Sequence, residues 1–130
     1  MLISIFGSEV YKKDMDLLAL VPKLRKLFPR HKFIIQDPTE DLRIPENKWI
    51  IVDKAEGIDK ITVFENLNNF VSTRSLTVHD YDLYMELKLQ EKIRKLPKMR
   101  IITVPLQQKA EKFEKKLAEA VRSELACLDR

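Results

Sequence analysis

Two carboxylates and one imidazole follow extended hydrophobic runs of this chain, where side chains of these types can bind a metal. Asp53 comes directly after the run Trp49–Val52, and His79 lies directly ahead of a long helical pattern. Asp14 follows the first predicted strand, Leu2–Phe6, and its turn. The crevice of an open α/β sheet lies outside the carboxyl ends of its strands, so these side chains can converge there. Two carboxylates and an imidazole suit a divalent transition metal.

Each of these residues also has an ordinary structural explanation. Asp53 can be a loop cap or a surface charge, and His79 can cap the helix that it precedes. Asp14 can be an N-cap or a first-turn acid stabilised by the helix dipole, and Asp16 competes for that role. The second histidine, His31, lies in a turn before a strand and is expected at the plain surface. The residues alone therefore predict only a possible Asp/Asp/His site.

Several familiar kinds of site are missing from the sequence. The two glycines, Gly7 and Gly57, form no glycine-rich phosphate loop, which argues against Rossmann and Walker nucleotide sites. The single cysteine, Cys127, falls near the end of a predicted helix and is a poor candidate nucleophile. The sequence also has no Gly-Xaa-Ser-Xaa-Gly elbow and no Cys-Xaa-Xaa-Cys or His-Glu-Xaa-Xaa-His zinc motif.

Composition indicates an ordinary globular chain that forms a single domain over residues 1–130. Its 45% hydrophobic and 34% charged residues are enough for a core without disulfides. The net charge of +4 is modest, and the bases of Lys109–Lys116 alternate with acids, so we expect no nucleic-acid partner. With no apolar run of ~18–20 residues and no basic leader, we expect no membrane insertion. A lone cysteine suits a reducing cytoplasm.

Hydrophobic patterns predict five strands alternating with helices. The predicted strands are Leu2–Phe6, Lys32–Asp37, Trp49–Val52, Lys60–Phe64 and Met99–Val104. This alternation predicts an α/β fold, a three-layer α/β/α sandwich around a mainly parallel sheet. Lys60–Phe64 follows the loop around Gly57 closely, whereas a parallel crossover needs a dozen or more residues. We therefore expect one antiparallel edge strand there.

Three helical patterns complete the predicted fold. The first carries apolar residues at three- and four-residue spacing, and Pro22 should kink it or mark a restart. In the second, one apolar row consists of Tyr81, Met85, Leu89 and Ile93. Leu83 and Leu87 lie on another side of the same helix, so we expect this helix to be covered on two faces. The apolar stripe of the last helix is Ala110, Phe113, Leu117, Ala120, Val121 and Leu128.

Four short motifs, in order along nearly the whole chain, together resemble one known family. Phe6–Asp14 places a turn glycine and an acid after the first strand, and Ile50–Ala55 joins an apolar run to Asp and a following Ala. Thr73–Leu83 is a Ser/Thr-rich segment that ends in His before an acid and a Leu-containing helix. Ile102–Pro105 ends the last strand in proline. These motifs resemble the maturation endopeptidases of nickel–iron hydrogenases.

The chain departs from that family in its loops. Gly7-Ser8 stands where the family has Gly-Asn, and Lys13-Asp14 stands for an acidic pair. Asp37-Pro38-Thr39 is a reduced version of the family's Asp-Gly-Gly-Thr. The departures affect the substrate-binding loops and the choice between Asp14 and Asp16, while the three metal-contacting positions keep suitable residue types.

The resemblance implies a function for the three candidate residues. Asp14, Asp53 and His79 would be the catalytic and nickel-contacting residues, with Asp37 in support. The implied activity is removal of a C-terminal peptide from the precursor of a hydrogenase large subunit, in the cytoplasm, after nickel loading. Nickel belongs to the substrate and serves recognition, and another divalent metal could fill the site in the isolated protein.

Two alternatives of other classes stay open at this point. One is a non-catalytic, chaperone-like relative that recognises a metalloprotein precursor without cutting it, an interpretation favoured by the missing loop glycines. The other is a flavodoxin-like small-molecule or regulatory domain, which depends on fold analogy alone. For an endopeptidase, both a metal-activated water and a carboxylate general base are compatible with these residues. The sequence does not fix the oligomeric state.

Overall fold

A single five-stranded sheet organises the described part of the chain. The computed structural model describes residues 1–7, 12–37, 42–55, 58–66, 78–93, 96–105 and 109–129. Its strands are β1 (Leu2–Phe6), β2 (Lys32–Gln36), β3 (Lys48–Ala55), β4 (Thr62–Phe64) and β5 (Lys98–Pro105). They lie in the order β2-β1-β3-β5-β4. All pairs are parallel except β4 with β5, which confirms the mainly parallel sheet with one antiparallel edge strand.

Three helices of the described residues lie between these strands in the chain, and a fourth follows the last strand. They are α1 (Lys12–Leu18), α2 (Val21–Leu27), α3 (Val78–Ile93) and α4 (Glu114–Leu128), with a 3₁₀ turn at Ala110–Phe113. Pro22 lies in the first turn of α2, where its missing N–H would have had no helical partner. The predicted restart at Pro22 is therefore confirmed. No helix among the described residues combines the length and apolarity needed to cross a membrane.

Apolar side chains fill both faces of the sheet and create the three layers. On one face, Ile50 and Val52 of β3 pack with residues of α1, α2 and α4. On the other, Trp49 and Ile51 pack with Leu87 of α3. Because both faces of β3 are covered, the side chains on both of its faces are apolar, and its sequence is a continuous apolar run. The predicted α/β/α sandwich is confirmed.

The buried face of α3 is not the face that carries the most regular row of apolar residues in its sequence. Leu87 has no exposed surface, whereas Met85, Leu89 and Ile93 are 49%, 51% and 68% exposed. Residue 87 lies opposite residues 85 and 89 on a helix, so the sheet covers only one of the two apolar sides. The prediction that this helix is covered on two faces is wrong for these described side chains. Tyr81 and Leu83 have side chains outside the described set.

We expect Leu87→Ala to destabilise the fold strongly and Leu89→Ala to have little effect. Truncating a fully buried leucine costs about 2–5 kcal/mol, while an exposed position changes the free energy of unfolding by about 0.5 kcal/mol or less. Urea denaturation of the two variants compares the same substitution on the same helix. Equal losses of stability in both variants would contradict this assignment of the buried face.

A buried polar cluster links the end of β2 to its neighbour β1 and to the next strand, β3. Gln36 Nε2 donates to Ser4 Oγ at 2.6 Å, and Trp49 Nε1 donates to the same oxygen at 2.8 Å. Gln36 Oε1 accepts a hydrogen bond from the backbone N–H of Arg43 at 2.7 Å. Because buried polar groups are costly when unsatisfied, these bonds hold the carboxyl end of β2 against β1 and against the backbone of Arg43.

The outer edge of β2 carries an unusual side-chain contact. Lys32 N donates to Met1 O and Gln36 O accepts from Gly7 N, so these residues turn their backbone groups toward β1. By alternation along a parallel strand, Phe33 and Ile35 turn theirs outward. The Arg25 guanidinium donates to Phe33 O at 3.0 Å. Arg25 therefore occupies one of the outward-facing carbonyls of this edge.

Candidate functional site

The candidate site lies at the carboxyl ends of β1 and β3, because the chain leaves these neighbouring strands toward opposite faces of the sheet. From β1 the chain continues to α1 and α2 on one face of the sheet, and from β3 it continues to β4 and to α3 on the other. Ligands of open α/β sheets bind in the crevice outside the carboxyl ends of such neighbouring strands. The described residues at these ends include the buried Gly7 and Asp53.

Asp53 is fully buried at the carboxyl end of β3. It lies inside this strand and not directly after it, because β3 extends to Ala55. Side chains alternate along a strand, so Asp53 shares the face of Ile51, which is also the face of α3. Since it has no exposed surface, the interpretation of Asp53 as a surface charge is wrong. Burial of a carboxylate is costly unless the charge is paired or hydrogen-bonded, so Asp53 is a side chain whose surroundings must balance its charge.

Neighbouring polar groups shape the surroundings of Asp53. In the β3–β5 register, Asp53 lies opposite Thr103, which is also fully buried. Thr103 Oγ1 donates to the Thr62 carbonyl at 2.8 Å and so links β5 to the edge strand β4. The carboxyl ends of β3 and β5 therefore place two buried polar side chains next to each other.

Lys54 is a residue of this region that sequence analysis missed. Its side chain is only 2% exposed, and its Nζ lies 2.7 Å from Asp16 Oδ1 on α1. Asp16 Oδ1 also accepts a hydrogen bond from the backbone N–H of Leu17 at 2.8 Å. Because side chains alternate along a strand, Lys54 and Asp53 lie on opposite faces of β3. This alternation was the one signal in the sequence that could have indicated the place of Lys54.

The two other predicted site residues lie near the starts of helices. Asp14 is in the first turn of α1, and His79 is the second residue of α3 and not ahead of it. The C-terminal end of α3 leads into the start of β5, and sixteen helical residues span about 24 Å. The start of α3 therefore lies toward the carboxyl edge of the sheet, the edge where Asp53 is found.

Convergence of the three side chains stays a prediction. The side chains of Asp14 and His79 lie outside the described set, as do Ser8, Pro38–Thr39 and Thr73–Thr77 of the family-like motifs. Among the side chains that are described, no group of three or more His, Cys, Asp or Glu is placed to hold a metal ion. The described member of the predicted trio is Asp53.

Asp37 and His31 lie at opposite ends of β2. Asp37 follows the strand at the carboxyl edge and is half-buried, and its supporting role stays a prediction. His31 precedes the strand, at the amino edge, so it lies away from the candidate site. It is half-buried, with Nδ1 3.3 Å from the Met1 nitrogen, and the expectation of a plain surface residue is wrong. Burial, followed by the nearby amino group, lowers the pKa of His31.

Comparison with models of protein families, with curated proteins and with solved structures gives no match for this chain. Interpretation of the site therefore depends on its residue types, their burial and their place in the sheet.

Proposed function

We propose that this chain is an endopeptidase of the hydrogenase-maturation type, which trims the C-terminal peptide from a nickel-loaded large-subunit precursor in the cytoplasm. The observation that carries the proposal is Asp53, a fully buried carboxylate at the carboxyl end of a central strand. It stands in the segment Ile50–Ala55, which resembles the corresponding strand end of that family.

In this proposal, Asp14, Asp53 and His79 contact the nickel that the precursor brings as its cargo. Two carboxylates and one neutral imidazole leave coordination positions open for ligands of the substrate itself. Burial strengthens the contribution of Asp53, because a negative charge attracts a cation more strongly at low local dielectric. A carboxylate within hydrogen-bond reach of water can also act as a general base for peptide hydrolysis.

Incubation with a large-subunit precursor tests the proposal. We expect the nickel-loaded precursor to yield a shorter product, measured by intact-protein mass spectrometry, and the nickel-free precursor to stay uncut. The same mass difference should appear as a released C-terminal peptide. A wild-type protein that binds nickel and the loaded precursor but never shortens it would refute the peptidase.

The missing loop glycines, with Pro38–Thr39 following Asp37 where the family has Gly-Gly-Thr, favour one second candidate, a precursor-binding relative without catalysis. This candidate predicts a stable stoichiometric complex with the precursor. Size-exclusion chromatography of the incubation mixture distinguishes the two, because an enzyme acts in substoichiometric amounts and a binding module does not.

A further inference from the structure

We propose that Lys54 is a positioning residue, whose ion pair with Asp16 anchors α1 to the carboxyl end of β3. We also infer that Asp16 serves this anchor, so that Asp14 is the acid of α1 that acts in the site. The anchor follows from the described side chains, while its effect on nickel rests on the proposed function.

The geometry of the pair is that of a strong contact between distant segments. Lys54 Nζ and Asp16 Oδ1 lie 2.7 Å apart, across 38 positions of the sequence. The lysine side chain is 2% exposed and the aspartate side chain 21% exposed, so solvent screens the pair weakly. Removal of either partner breaks a largely buried ion pair, which is destabilising, and takes away the contact that joins α1 to the end of β3.

The anchor acts where the site needs precision. Lys54 is the residue after Asp53, and the two side chains leave β3 on opposite faces. One residue of the strand end thus belongs to the candidate site while its neighbour holds the helix that contains Asp14. Displacement by about 1 Å can cost about 100-fold in rate when reacting groups must be held in place.

The contacts of Asp16 also separate the roles of the two acids of α1. Asp16 accepts from the Lys54 ammonium and from the Leu17 N–H, so its charge is already opposed by a cation. A carboxylate engaged in this way is a weaker ligand for a second cation.

Nickel binding by the full chain tests the positioning claim. Calorimetry with nickel(II) alone compares wild type with Lys54→Met, Asp16→Asn, Asp14→Asn and the charge exchange Lys54→Asp/Asp16→Lys. We expect Lys54→Met and Asp16→Asn to weaken nickel binding by similar factors of about 10, Asp14→Asn to abolish it, and the exchange to recover part of the affinity. Lys23→Met removes the exposed pair with Glu114 and is the matched control, with an expected change under about twofold.

Hydrogen exchange of the α1 amides keeps this claim separate from the proposed function. Faster exchange of the α1 amides in Lys54→Met, but not in Lys23→Met, supports the anchor. A wild type that neither binds nickel nor cuts precursor would refute the proposed function alone and leave this result for the anchor unchanged. Unchanged α1 exchange in a folded Lys54→Met variant overturns the anchor. Loss of nickel binding in Asp16→Asn with full retention in Asp14→Asn overturns the assignment of the two acids. If Lys54→Met does not fold, Asp16→Asn supplies the same comparison.

Discussion

Asp53→Asn is expected to lower the rate of precursor trimming by about 10²–10⁴-fold, the range associated with loss of a positioned acid–base group. The substitution keeps the size of the side chain and removes its charge. Because Asp53 has no exposed surface, solvent cannot replace that charge. Initial rates of product formation from nickel-loaded precursor, under single-turnover conditions, measure the loss.

The matched control for this experiment is Asp59→Asn. Asp59 is exposed in the connection between β3 and β4, so the same chemical change there should leave trimming within about twofold. Circular dichroism establishes that both variants are folded. Trimming by Asp53→Asn at the wild-type rate would remove this carboxylate from the reaction, and with it the observation that carries the proposed function.

The two histidines provide the second comparison. We expect His79→Ala to reduce both nickel affinity and the rate of precursor trimming by more than 10- to 100-fold. A loss of 10- to 100-fold is typical when the replaced residue only hydrogen-bonds to a metal ligand. The reason is that an imidazole supplies one of only three protein ligands in the proposed site. Nickel(II) titration of the isolated protein measures affinity independently of cleavage, and the trimming assay measures the activity.

His31→Ala controls for the general loss of an imidazole. His31 lies at the amino edge of the sheet, at the start of β2, so its removal should leave nickel affinity unchanged. Wild-type affinity in His79→Ala would exclude His79 from the site. Reduced affinity in His31→Ala alone would place metal binding at the wrong end of the molecule for this proposal.

The sheet was predictable because its signals are local. The run Trp49–Val52 is apolar and β-branched because helices cover both of its faces, and few other structures need that pattern. The short connection before β4 left no room for a parallel crossover, so β4 runs opposite to β3 and pairs antiparallel with β5. Pro22 marked the start of α2 through the chemistry of one residue.

The wrong and the missing predictions concern contacts between distant segments, which the sequence of one segment does not specify. A helix with two apolar sides does not specify which one the sheet will cover, and the regular row of Met85, Leu89 and Ile93 proved to be the exposed one. Similarly, the pattern around Asp53 marks a strand end, but the partner of Lys54 lies 38 positions away and depends on the packing of α1. Burial of a charged residue is a property of the assembled layers.

The contact of Arg25 with the border of β2 has a consequence for the behaviour of the chain in concentrated solution. An uncovered strand border is a template on which another molecule can add its own strand, and proteins commonly protect it with charge. Here one guanidinium occupies Phe33 O, beside the half-exposed Ile35, which would otherwise favour such addition. A neutral side chain at position 25 would leave this border open to aggregation between molecules, with the helices and the crevice unaltered.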